Sequence, residues 1–106
     1  MSLRGWATFE WDEQKNVVNL TKHGISFDEA KLIFDGPVFT WPDKRSDYDE
    51  MREISIGMIL GLVVVTVVHT DRNGRTRIIS ARLANRRERR LYHEHIEKAS
   101  AGTDFP

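Results

Sequence analysis

The sequence predicts an α+β domain in the order β-α-α-β-β-β-β-α, an antiparallel β-meander with two N-terminal helices and one C-terminal helix. Three features predict it. Apolar residues recur at helical spacing up to Phe34 and with a period of two from Val38 to Leu83. Helix-start signals stand at Asp12, at Ser26 with Glu29, and at Asn85 with Glu88. Asn73-Gly74 lies between two apolar runs, where it marks a tight hairpin.

Residues 6–11 alternate aromatic with small or polar side chains, as a strand with one buried face does. Asp12 then caps a short helix whose inner side is expected to hold Val17 and Leu20, and Gly24 after Lys22-His23 supplies a left-handed stop. Ser26 and Glu29 form a capping box, Ile25 is placed to pack on Ala30, and Phe27, Ala30, Ile33 and Phe34 are buried until Gly36-Pro37 ends the second helix. Val38 to Trp41 reads as a strand stopped by Pro42, and residues 43–50 as a polar loop. Ile54, Ile56 and Met58 share one face of the next strand, and Leu60-Gly61 turns it back. The β-branched run Leu62–Thr70 suits a central strand covered on both sides. Arg75–Leu83 returns from the Asn73-Gly74 hairpin. In the last helix Ala84, Leu91, Tyr92, His95, Ile96 and Ala99 fall on the core side, with Arg86, Arg89, Arg90 and His93 opposite. Residues 99–106 read as a flexible tail, giving a single domain over 1–106 with its core at about 6–98.

The 106 residues suffice for one hydrophobic core and no second. Absence of cysteine excludes disulfides, thiolate catalysis and Cys-based zinc sites, and a cytoplasmic location is expected. The longest apolar run, Leu62 to Val68, is far shorter than the ~20 residues that span a bilayer, and no apolar leader is seen. His69, His93 and His95 are scattered, so no metal site is expected, nor is any cofactor.

The formal net charge of zero conceals a strong separation. Eight of the eleven arginines lie between Arg72 and Arg90, opposed there by Glu88 alone; that stretch carries about +7 and the remainder about −7. Guanidinium groups grip phosphate bidentately, so the strip reads as a phosphate-binding surface, with Arg72, Arg75, Arg86, Arg89 and Arg90 as RNA contacts. A solvated helix face and an acidic protein partner are the competing readings. Arginine, lysine, histidine and carboxylates together suit metal-free RNA cleavage, in which guanidiniums stabilise phosphoryl charge and another group moves protons. Arg77 and Arg82 are the leading candidates; five positions apart, they face opposite ways in a regular strand unless a bulge intervenes. Arg82 is near enough to the helix start to pair with a carboxylate. Lys22 and His23 sit at a helix C-terminus, where cations complement the dipole and the structural reading is strong; for His23 a packing or capping role and a proton-transfer role weigh equally. Glu50, Arg52 and Glu53 open the third strand beside the polar loop, where exposed strand-edge charge is the commoner reading; Arg52 is the candidate among them for reaching a cleft. His69 is expected to be half-buried and structural. A non-catalytic nucleic-acid-binding subunit of a repressor complex would use the same arginines without turnover.

Phe9-Glu10-Trp11-Asp12, Lys15, Asn19-Leu20-Thr21-Lys22-His23-Gly24-Ile25-Ser26-Phe27, Ala30 and Ile33-Phe34 resemble the opening of the BrnT toxin family. Ile56-Gly57, Val64-Val65, His69-Thr70, Arg77-Ile78-Ile79-Ser80-Ala81-Arg82 and Arg86-Arg87-Glu88-Arg89 resemble its second half, so the likeness covers roughly residues 8–93. It implies a RelE-like fold and a type II toxin, a metal-independent ribonuclease that inhibits translation. It also implies a ribbon-helix-helix antitoxin of the BrnA kind, with DNA touched only through that antitoxin. The complex is expected to be a heterotetramer, with an acidic antitoxin surface opposite Arg86, Arg89 and Arg90 and no membrane contact. The chain alone is expected to be monomeric, its apolar positions being consumed by one core.

Overall fold

In the computed structural model, which describes residues 8–45 and 50–103, the sheet is built outward from its most apolar strand. The elements are Phe9–Glu10 (β1), Glu13–His23 (α1), Phe27–Ala30 (α2) continued by a 3₁₀ segment Lys31–Asp35, Val38–Pro42 (β2), Glu53–Ile59 (β3), Val63–Arg72 (β4), Arg75–Leu83 (β5) and Arg86–Thr103 (α3). Trp6, Ala7, residues 46–49, residues 104–106 and the side chain of Ala99 lie outside the described residues.

The strand order is β1-β5-β4-β3-β2, which places β4 in the middle, and Val64 to Thr70 are buried without interruption. Both long hairpins turn through consecutive residues of positive φ, Leu60 (52°) with Gly61 (69°) and Asn73 (53°) with Gly74 (78°). That is the conformation whose twist matches paired strands. Strands β2 to β5 form the expected antiparallel meander. The sheet as a whole is mixed, because β1 runs parallel to β5 with Phe9 opposite Thr76 and Glu10 opposite Arg77. No hairpin joins those two strands. The chain between them is long enough for the crossover that a parallel pair needs.

One face of the sheet is covered by α2 and the 3₁₀ segment, with Ile25, Phe27, Ala30, Ile33 and Phe34 packed on Val65, Val67, Ile78 and Ala81. The fit is tight at Gly57, where a Cβ would stand 2.6 Å from that of Ile33. Helix α3 covers part of the other face with Tyr92 and Ile96, against Ile56, Val64, Phe39 and Trp41. The Asn85–Glu88 box starts this helix: the Glu88 N–H donates to the Asn85 side chain, and the Asn85 N–H donates to the Glu88 carboxylate. Helix α3 continues to Thr103, past the tail expected from residue 99. Its last residues carry no helix breaker until Gly102.

Helix α1 corrects another expectation. Val17 and Leu20 are 57% and 47% exposed, whereas Asn19 is buried. The cause is the edge of β5. Beyond Arg77 that edge has no neighbouring strand, and its backbone groups need partners. The Asn19 side chain donates to the carbonyls of Ala81 (2.8 Å) and Ile25 (3.0 Å) and accepts from the Ala81 N–H (3.1 Å). Its amide thus stands in for a strand residue, and turning it inward turns the apolar pair outward. Nor does one core consume every apolar position: Leu60 and Leu62 at the β3–β4 turn and Leu83 at the end of β5 are exposed.

Candidate active site

Arg77 pairs across the sheet with Thr70, and Arg82 with Thr66. Thr66 and Thr70 are four apart on β4 and therefore share a face, so the two arginines share it as well. Their spacing on β5 is five. The extra residue is Ile79, because Val68 faces Ser80 while His69 faces Ile78. A β-bulge thus intervenes, the one case in which the sequence allows the two arginines a shared face.

Each arginine is held by a carboxylate. Arg77 donates to Glu10 at 2.8 Å, and both side chains are about a quarter exposed. Arg75 is more exposed and lies 3.9 Å from the same carboxylate. Arg82 grips Glu88 through two hydrogen bonds of 2.7 and 2.8 Å. Burial pushes the Glu88 carboxyl up, but hydrogen bonds from Arg82, the Asn85 backbone and Thr66 outweigh it and hold the group below its ordinary value. The same pairing raises the Arg82 guanidinium, with burial and the nearby Arg45 working against it.

The end of the polar loop adds further cations. Arg45 forks onto the buried Asp43 carboxylate at 2.8 Å through both Nε and Nη2. The Arg52 carbonyl accepts from the Asp43 N–H, which ties the head of β3 to the loop. Arg72 donates to Glu50 at 2.9 Å, and this bond holds the Glu50 carboxyl low, with added attraction from Arg52 and Arg77. Arg52, Arg72 and Arg77 therefore share one electrostatic neighbourhood with Glu10 and Glu50.

Lys22 and His23 occupy the last turn of α1, where positive charge complements the helix dipole. They also line an open cleft of about 430 Å³. Ile79 and Ser80, between Arg77 and Arg82, form its β5 side, and Asp12, Lys15, Asn19, Lys22 and His23 its α1 side. Arg77 and Arg82 flank Ile79 and Ser80 along β5, but neither lines this cleft; their side chains lie over the Thr66–Thr70 face, on Glu10 and Glu88.

Arg86, Arg87, Arg89 and Arg90 are exposed in the opening turns of α3, and Arg89 donates to the Ala84 carbonyl. Cations at a helix N-terminus oppose the dipole, at about 0.3–1 kcal/mol each. Arg89 offsets this through its bond to Ala84; Arg86 and Arg87 have no such return among the described residues and suit an anion. His69 is wholly buried, more so than expected, 2.7 Å from the Ser55 hydroxyl and edge-on to Phe34, on the face away from the arginines. Among the described residues no group of three or more His, Cys, Asp or Glu is placed to hold a metal. Sequence reasoning passed over Glu10, Asn19, Arg45 and Arg87. Glu10, Asn19 and Arg87 stand inside the motifs that carry the family resemblance, but without a role of their own.

A family profile described as the ribonuclease toxin BrnT of a type II toxin–antitoxin system matches residues 11–88. The chain belongs to the BrnT family. The crystal structure of the Brucella abortus ribonuclease toxin BrnT superposes on it with a TM-score of 0.57 at 25% identity, covering 76% of this chain and 99% of the other. Comparison with curated proteins gives no match. The matched segment holds Lys22, His23, Arg52, Arg77, Arg82 and Glu88 but stops short of Arg89 and Arg90. Membership makes RNA the substrate and an antitoxin the partner. Among the described residues no helix is long and apolar enough to cross a membrane.

Proposed function

We propose that the chain is an endoribonuclease that cleaves RNA without a metal ion and so inhibits translation in the cytoplasm. The substrate's 2′-hydroxyl loses its proton and attacks the adjacent phosphorus. The P–O5′ bond breaks, leaving a 2′,3′-cyclic phosphate and a 5′-hydroxyl. Arg77 and Arg82 bind the phosphate and stabilise charge building on its oxygens, Arg52 reinforces that field, and Lys22 or His23 moves the protons. The observation that carries this reading is the β5 bulge, which sets Arg77 and Arg82 on one face. Glu10 and Glu88 hold the two guanidiniums in place before substrate arrives. Arg72, Arg75, Arg86, Arg89 and Arg90 guide the RNA backbone.

We read the fold as RelE-like and the antitoxin as a ribbon-helix-helix protein of the BrnA kind. Its dimer bridges two toxin chains into a heterotetramer through an acidic surface opposite Arg86, Arg89 and Arg90; without it the chain is a monomer. Purified protein incubated with RNA in EDTA tests the reading. Cyclic or 3′-phosphate ends are the expected products. Cleavage that appears only with added Mg²⁺ overturns the mechanism, and salt-sensitive binding without any cleavage restores the repressor-subunit reading.

A further inference from the structure

We propose that the recess between β2 and the first turns of α3 is a nucleobase subsite, in which a base next to the scissile phosphate stacks on Trp41. This rests on the ribonuclease reading and deepens it, because it places a part of the substrate that the arginines do not address.

The recess measures about 410 Å³ and is lined by Phe39, Trp41, Asn85, Arg87, Glu88 and Leu91. That lies within the roughly 300–1,000 Å³ of small-molecule sites. Phe39 and Trp41 are two apart on the edge strand β2, so both rings project to the α3 side, with centroids 5.3 Å apart. His95 from α3 lies 4.7 Å from the Phe39 ring, which helps fix it in place. Trp41 packs against the core yet remains partly exposed. An aromatic ring held rigid by its neighbours and left partly open to solvent is a stacking platform for any base.

The polar rim fits the same ligand. Asn85 uses its side-chain oxygen to accept from the Glu88 N–H, which leaves its amide hydrogens to donate to a base. Arg87 is exposed at the rim, available to a phosphate or to the face of a stacked base. The decisive link is Glu88. It lines the recess and also grips Arg82 through two hydrogen bonds, so the recess adjoins the Arg82 guanidinium through one shared residue, within a nucleotide's reach of it. A polar rim of Asn85, Arg87 and Glu88 around aromatic rings favours a nucleotide over an apolar side chain of a protein partner.

Single-stranded oligonucleotides of 2′-O-methyl RNA, which resist cleavage, test this when an abasic residue is walked along them one position at a time. The parent protein should bind the intact strand about tenfold more tightly than the strand abasic at one particular position, the loss expected for one stacked base. Trp41→Phe should keep most of that discrimination and Trp41→Leu should abolish it, with folding checked by circular dichroism. Arg87→Ala, an exposed substitution, carries the test if Trp41→Leu is unstable; it should weaken the intact strand by about threefold. Unchanged discrimination in Trp41→Leu overturns the subsite. So does a Trp41→Leu variant that loses the antitoxin but binds RNA normally, because the recess then belongs to the protein partner. Discrimination without cleavage in EDTA keeps the subsite while the ribonuclease reading fails. Cleavage that needs Arg77 but shows no abasic penalty has the reverse meaning.

Discussion

Replacing Asn19 with Ala should lower stability far more than its place on a short surface helix suggests. The side chain is 6% exposed and satisfies three backbone groups, the N–H and carbonyl of Ala81 and the carbonyl of Ile25. Truncation leaves all three buried without partners, and each such group costs about 1–3 kcal/mol. Some relaxation or water entry will soften the sum, so the loss should reach about 3 kcal/mol at least. For a chain of 106 residues, 1 kcal/mol moves the melting temperature by roughly 4–8 °C, so about 3 kcal/mol gives a fall of about 12–24 °C. Asn19→Asp should be no better, since it keeps the acceptor for the Ala81 N–H but sets a carboxylate against two carbonyls. Thermal unfolding followed by circular dichroism reads both variants. A melting temperature within about 3 °C of the parent would show that α1 does not brace the edge of β5, and the bulge would then need another support.

Gly57→Ala should cost about 1–3 kcal/mol in urea unfolding, because its methyl meets Ile33 at 2.6 Å; an unchanged midpoint would mean the 3₁₀ segment shifts freely. The Glu88 carboxyl is held below its ordinary value near 4.5, so its contribution is full above that pH and is lost as the pH falls through the lower folded value. The stability gap between pH 7 and pH 3 should therefore be smaller in Glu88→Gln than in the parent; an equal gap would show that the Arg82 pair adds nothing. Reversing Arg86 to Glu should stabilise α3 slightly, by about 0.3–1 kcal/mol, and reversing Arg86 or Arg90 should weaken the antitoxin complex in titration calorimetry. Unaltered antitoxin affinity in both would move the partner to another surface.

What the sequence disclosed was whatever short spacing can encode. The period-two apolar runs, Asn73-Gly74 and the paired caps at Ser26 and Asn85 located strands, hairpin and helices, because each is settled by neighbours in the chain. The parallel pairing of β1 was hidden, since two residues joined to a strand more than sixty positions away carry no local mark of direction. A bulge between Arg77 and Arg82 was open as an alternative, but its presence and its place at Ile79 could not be read until β4 supplied the register. Asn19 was missed because a helical wheel rewards Val17 and Leu20, and only the open edge of β5 makes a buried amide worth more than two buried side chains. Of the site, the cations were legible as a strip. Their partners Glu10 and Glu50, and the face they share, came from the fold.

The central claim is that Arg77 and Arg82 act together on one phosphate, and single-turnover cleavage of an RNA oligonucleotide in EDTA tests it most directly. Arg77→Ala and Arg82→Ala should each slow cleavage by about 100-fold or more, the scale of losing one preorganised donor to a developing oxyanion. The double variant should be little slower than the worse single one, as for groups that work as a unit. Full activity in either single variant, or two losses that multiply as independent effects, would contradict a shared site.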